Sequence, residues 1–190
     1  MERSDYLVLV NKNHKIPDNW EEKVKLIELK NVFNRTIKVE EETLEKYNEL
    51  RDNLLKEWID IELESAYRSL EKQQDLREDM EEEYGIEYAE KYAAVPGYSE
   101  HHTGLALDIC IKKDWKLISE NHEMIVECEI FGKIHEKLAD YGFILRYIEW
   151  MEKITGFEYE PWHIRYIWDI SIAKEIMEKW LTLEEYLDKK

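Results

Sequence analysis

"GYSEHHTGLALDIC", residues 97–110, sets a turn, two adjacent histidines, a glycine and an alternating apolar run in one short stretch. After Pro96-Gly97, Leu105, Leu107 and Ile109 alternate with Ala106, Asp108 and Cys110. A period of two marks a half-buried strand, so 104–111 reads as a strand. Asp108 then shares one strand face with Gly104 and Ala106, whose small size leaves room beside the carboxylate. His101 stands just upstream of that face. On a strand, His102 would point away from His101, which makes His101 the better metal ligand and His102 a supporting or surface residue.

Working outward, Leu44, Tyr47, Leu50, Leu54, Leu55 and Trp58 recur at three- and four-residue steps and predict an amphipathic helix within 39–58. Ile59, Ile61 and Leu63 then alternate with acidic residues, a strand that ends at Ser65-Ala66-Tyr67-Arg68. Residues 70–92 are charged and helical in composition, with Gly85 as a break and the run EDMEEEYGIEYAEK as a solvated face. Downstream, residues 130–141 outline a helix stopped by Gly142. Strands are expected over 143–148 and 158–167, and a helix over 171–187. The order predicts an α+β fold: a small antiparallel sheet holding His101, Asp108 and His163 on one face, with helices packed on the other. Leu63, Leu105, Leu107, Phe131, Ile134, Phe143 and Trp162 are the expected core. No linker-like stretch interrupts 1–190, so one domain is expected.

Acidic residues outnumber basic ones by 44 to 27, a net charge of -17 that repels nucleic-acid phosphates and anionic membrane surfaces. Nucleic-acid binding is disfavoured on that ground. The first residues carry only a short apolar run flanked by charges, so neither a signal-peptide core nor a membrane span is read there, and a cytoplasmic location is expected unless an export segment preceded Met1. Cys110 and Cys128 have no metal or disulfide spacing and read as reduced, partly buried thiols.

A catalytic zinc site takes three ligands from His, Asp, Glu or Cys and leaves one position open. His101 and Asp108 supply two such groups. Tyr159-Glu160-Pro161-Trp162-His163 supplies another histidine with a carboxylate three residues earlier, on a backbone that Pro161 keeps out of helix. Each group alone is more often an ordinary packed or hydrogen-bonded residue. His14, His122 and His135 lack a partner at metal spacing and read as solvated or locally bonded.

Six segments carry a family resemblance: LVLVNKNHKIP (7–17), SAYRSLEKQ (65–73), PGYSEHHTGLALDI (96–109), YGFILRY (141–147), ITGFEYEPWHIRY (154–166) and LTLEEYL (181–187). Together they resemble the VanY-like D-alanyl-D-alanine carboxypeptidases, zinc peptidases related to VanX, VanXY and the hedgehog fold. The resemblance implies one Zn2+ ion held by His101, Asp108 and His163, with Glu160 as the base that deprotonates the attacking water. It implies Arg68 as the donor to the developing oxyanion. Gln73, Ser99 and Trp162 fall where relatives contact substrate.

The implied activity is hydrolysis of the terminal D-Ala-D-Ala bond of a peptidoglycan stem peptide or its soluble precursor. An L,D-carboxypeptidase acting on tetrapeptide stems shares these motifs. A zinc-stabilised binding module is the reading from another class, but a structural zinc needs four closed ligands and no base, which Glu160 and Arg68 argue against. No membrane insertion is implied, and oligomeric state is left open. Three departures stand out. Ala66 replaces a usual glycine, and bulky aromatics occupy 147–151 and Trp168, where they are expected to narrow the substrate groove.

Overall fold

The computed structural model describes residues 1–189, apart from the side chain of residue 91. In chain order the elements are α1 (Trp20–Lys23), β1 (Leu26–Lys30), β2 (Thr36–Glu40), α2 (Glu41–Lys56), β3 (Asp60–Ser65), α3 (Leu70–Tyr84), α4 (Ile86–Tyr92), β4 (Ala106–Lys113) and β5 (Lys116–Ile118). They continue with α5 (Asn121–Val126), α6 (Cys128–Leu138), β6 (Phe143–Leu145), α7 (Glu152–Thr155), β7 (His163–Tyr166), α8 (Ile170–Glu178) and α9 (Leu183–Asp188). The expected α+β class holds.

One antiparallel sheet runs β3-β4-β7-β6, with β5 returning along the far end of β4. Its register is what matters for function. Ser65 of β3 lies opposite Asp108 of β4, and Asp108 lies opposite His163 of β7. Cross-strand partners sit about 4.5–5.5 Å apart at Cβ, so three strands set these side chains in a row. On β3 the register slips between Leu63 and Ser65, a β-bulge with Glu64 as the additional residue.

Helices cover the sheet because their apolar stripes have nowhere else to go. α2 buries Tyr47, Leu50 and Leu54, and the Glu40 side chain caps it by accepting from the Thr43 N–H. α6 buries Phe131, Ile134 and Leu138. All seven residues expected in the core are buried, within one continuous cluster. Cys110 is buried as expected, whereas Cys128 is exposed at the start of α6. α3 differs in kind: its buried residue is Gln73, which suits a helix that borders a polar cavity.

Several expectations need correction, among them the strand over 143–148, which ends at Leu145. The strand expected over 104–111 begins at Ala106; residues 100–103 form a 3-10 turn that carries His101 and His102, so His101 reaches the sheet from beside it. Gly104 ends that turn at φ +74, where a Cβ would also come within 3.0 Å of Leu26. The strand expected over 158–167 shrinks to His163–Tyr166, because Pro161 has no N–H for a ladder and the His163 N–H turns back to the Glu160 carbonyl at 3.2 Å. The tail is two helices, the second opened by a Thr182/Glu185 capping box. The hairpin β1-β2 was not expected at all: its turn contains neither Gly nor Pro, and Asn34 instead adopts the left-handed conformation at φ 59 while the Asn31 side chain accepts from the Phe33 and Arg35 N–H groups.

Candidate active site

The row of Ser65, Asp108 and His163 opens into a cavity of about 310 Å³ whose walls include Arg68, Gln73, Ser99, His101, Glu160 and Trp162. Every site residue expected from the sequence therefore lines one cavity. Two groups expected to shape it do not. The Trp168 ring packs under the Arg3 guanidinium, 4.2 Å from its carbon, and the largely exposed Trp150 lies outside the cavity wall. Both tryptophans occupy left-handed backbone positions; Trp150 projects to the surface, whereas Trp168 is half-buried against the core. From the 147–151 loop it is Tyr147 that enters, its ring tilted against that of His163 with centroids 4.7 Å apart.

Asp108 joins the two histidines. Its Oδ2 lies 3.1 Å from His101 Nε2 and its Oδ1 lies 3.0 Å from His163 Nδ1. Burial alone would raise its pKa, but the two imidazoles hold the carboxyl far below the usual range. Each histidine is tied from behind. His101 Nδ1 donates to the Ala66 carbonyl at 2.7 Å, which directs Nε2 at Asp108, and burial lowers its pKa. His163 Nε2 donates to Glu100 Oε2 at 3.1 Å, which turns Nδ1 toward Asp108. Burial would lower the His163 pKa, yet the bonds to Asp108 and Glu100 outweigh it and raise the value to about 9. The same two carboxylates favour a metal cation at Nδ1.

The donors fit a metal. One ligand atom from each of His101, Asp108 and His163 lies within 4.8 Å of the others, and both outer imidazole nitrogens are committed to oxygen acceptors. Glu160 stands beside this set with Oε2 3.7 Å from His163 Nδ1. Burial pushes its carboxyl up to about 7, against the pull of His163 and Arg68.

Arg68 is held as firmly as the histidines. Its Nη1 donates to Gln73 Oε1 at 2.9 Å, and Gln73 Nε2 donates in turn to the Ala94 carbonyl at 2.9 Å. Gln73 thus spends both ends of its amide on fixing Arg68. The Arg68 N–H donates to the His101 carbonyl at 3.1 Å, and His102 Nδ1 donates to the Arg68 carbonyl at 2.6 Å. His102 Nε2 accepts from the Gly97 N–H at 3.0 Å, so His102 is a buried strap between the two loops and not a surface residue. Ser99 and Trp162 are nearly buried in the wall. Of the other histidines, His14 bonds Asn11 and His135 bonds the Pro161 carbonyl, each at 2.9 Å.

Sequence reasoning missed Glu100. Fully buried, it accepts from His163, from Arg146 Nε at 2.7 Å and from Arg165 Nη1 at 2.7 Å. Arg146 then grips Glu184 of α9 through both terminal nitrogens, and Asn11 Nδ2 donates to the same carboxylate at 2.9 Å. The available signal was the pair of arginines within the apolar runs FILRY and HIRY, since a buried guanidinium requires a buried carboxylate.

Residues 36–169 match the family described as D-alanyl-D-alanine carboxypeptidase, VanY. The bifunctional D-Ala-D-Ala dipeptidase and D-Ala-D-Ala carboxypeptidase VanXYC of Enterococcus gallinarum is 36% identical over 185 residues, covering 96% of this chain and 93% of that protein. Among solved structures, a mutant of the vancomycin resistance D,D-pentapeptidase VanY from a VanB-type cassette, in complex with Zn(II), superposes with a TM-score of 0.81 at 31% identity, covering 96% of this chain and 99% of that one. The LdcB LD-carboxypeptidase superposes with a TM-score of 0.84 at 32% identity, covering 98% of this chain and 87% of that one.

Proposed function

The chain belongs to the VanY family of D-alanyl-D-alanine carboxypeptidases, and from that premise we propose that His101, Asp108 and His163 hold its zinc ion while Glu160 and Arg68 act on the substrate. The enzyme is a zinc-dependent D,D-carboxypeptidase that hydrolyses the terminal D-Ala-D-Ala bond. We place its substrate among peptidoglycan stem peptides or their soluble precursors, and treat 1–190 as one working domain. No helix among the described residues is long and apolar enough to cross a membrane.

Bound among these donors, zinc supplies Lewis-acid polarisation of the scissile carbonyl and an acidified water. The rest is the work of side chains. Glu160, with its pKa brought near neutrality by burial, takes the proton from the attacking water and returns it to the departing D-alanine amine. Arg68 donates to the oxygen that becomes negative, and Gln73 and the Ala94 carbonyl keep its guanidinium from swinging away. Trp162 and Tyr147 wall the cavity against water, and Ser99 offers a hydroxyl to the substrate's amide or carboxylate.

The observation that carries this reading is the register of Asp108 against His163, with His101 and Glu160 brought to the same point. Mass-spectrometric product analysis of the zinc-loaded protein tests it, with stem pentapeptide and tetrapeptide side by side and Glu160→Ala as the blank. Loss of one D-alanine from the pentapeptide is the expected result. The likeness to LdcB makes the tetrapeptide the second arm, and preferential cleavage there would replace the D,D reading with an L,D one.

Arg68→Ala is expected to lower kcat by about a hundredfold to a thousandfold while zinc content stays unchanged. Arg68→Lys should recover little of that loss, because a single ammonium cannot keep the Gln73 contact and reach the oxyanion together. Steady-state kinetics with metal analysis checks both variants.

A further inference from the structure

Glu64 is the residue that the pairing of β3 with β4 leaves over. Leu63 faces Ile109 and Ser65 faces Asp108, so Glu64 occupies a bulge immediately beside the catalytic row. Bulges next to active sites re-aim a side chain that a regular strand would turn elsewhere. Here the main chain is pinned, since Asn31 Nδ2 donates to the Glu64 carbonyl at 2.6 Å. The side chain lines two spaces at once: the catalytic cavity, and a groove of about 880 Å³ that runs from Ser65 and Arg68 along the β1-β2 hairpin and α3, past Arg35, Lys72 and Asp75.

The carboxylate is not provided for. Glu64 Oε2 is buried without a hydrogen-bond partner, one of two such side-chain atoms among the described residues. The other, Asp60 Oδ1, has Arg51 at 3.5 Å, whereas no ion pair involves Glu64 among the described residues. Burial first, then the charges of Asp108 and Glu120, push the Glu64 carboxyl up to about 7, and Arg35 pulls only weakly against them. Once ionised, such a carboxylate only accepts, and the complement that favours its ionised form most strongly is a cationic donor.

We propose that Glu64 is the subsite for a protonated amine of the substrate, on the acyl side of the scissile bond. The side follows from chemistry. The residue released carries a carboxylate and has no amine until the bond breaks, so a substrate ammonium group can only lie upstream, where the groove leads. Two sources share this chemistry: the α-ammonium of a free D-Ala-D-Ala dipeptide, and the side-chain ammonium of a diamino residue within a longer stem. The inference rests on the D,D-peptidase reading above.

Wild type and Glu64→Gln are compared on two substrate pairs: D-Ala-D-Ala against its N-acetyl form, and an N-acetylated pentapeptide with lysine at its third position against its Nε-acetyl form. The expected result is that wild type prefers the free-amine member of one pair, and that Glu64→Gln reduces that preference in kcat/KM by about tenfold, mainly through KM. The pair that responds identifies the source. Glu64→Gln removes an unpartnered buried charge, so it should melt no lower than wild type. Equal effects on both members of each pair, or no preference in wild type, would overturn the subsite while leaving the peptidase reading intact. Failure of wild type to cleave any of the four would overturn both.

Discussion

Glu160→Ala is expected to lose about a hundredfold to ten-thousandfold in kcat while still binding one zinc ion per chain. The expectation comes from where the carboxylate stands. It lies 3.7 Å from His163 Nδ1 without belonging to the set of His101, Asp108 and His163, so its removal takes away the proton carrier and leaves the metal donors whole. Asp108→Ala should behave in the opposite order. Asp108 touches both imidazoles, at 3.1 and 3.0 Å, and without it the site loses its only anionic ligand and the group that aligns the two rings. Zinc affinity measured by chelator competition, together with turnover at saturating zinc, separates the two. Equal zinc retention by both variants would sink this division of labour. Glu160 must be ionised to act, and burial holds its carboxyl near 7, so the rate should climb with pH through neutrality on the acid limb.

Glu100→Ala is expected to destabilise the protein by about 3–5 kcal/mol, more than any other single change at the site. Glu100 has no exposed side-chain surface and accepts from two guanidiniums, Arg146 and Arg165, each at 2.7 Å and each itself fully buried. Removing the carboxylate leaves buried Arg165 without its anionic partner, leaves Arg146 to Glu184 alone, and takes from His163 the acceptor behind its ring. Urea melts should show the loss with and without zinc, and zinc affinity should fall as well, which a purely structural contact would not produce. Acid should mimic the mutation. Burial would raise the Glu100 pKa, but the arginines and His163 depress it well below the ordinary 4.5. Since the folded value is the lower one, the stability contributed is complete above about pH 4.5 and is lost as pH falls toward the folded pKa.

Asp108 and His163 were legible because they sit in or at the start of strands, where alternation and a neighbouring proline leave few options. His101 was legible as a proposed ligand but not as to its setting. The apolar alternation that begins at Leu105 reads backward onto Gly104 without a break, although a left-handed glycine ends the preceding turn there. Glu100 was invisible for a different reason. Its partners lie 46, 63 and 65 residues away, and nothing within EHHT announces a carboxylate shared by two arginines and a histidine. The tryptophans misled through size. A bulky residue was expected to fill a groove, but Trp150 and Trp168 stand at positive φ, where the backbone geometry of the turn sets their direction. The β1-β2 hairpin escaped because its turn is made by Asn31 and Asn34, with none of the usual punctuation.

The grip of Arg146 on Glu184 also ties distant parts of the chain to one buried network. Asn11 donates to the same Glu184 carboxylate from 173 residues away, and Arg146 passes the connection on to Glu100 and so to His163. The network behind the proposed metal site therefore closes only when contacts between remote segments form, and such non-local closures are the slow ones in folding.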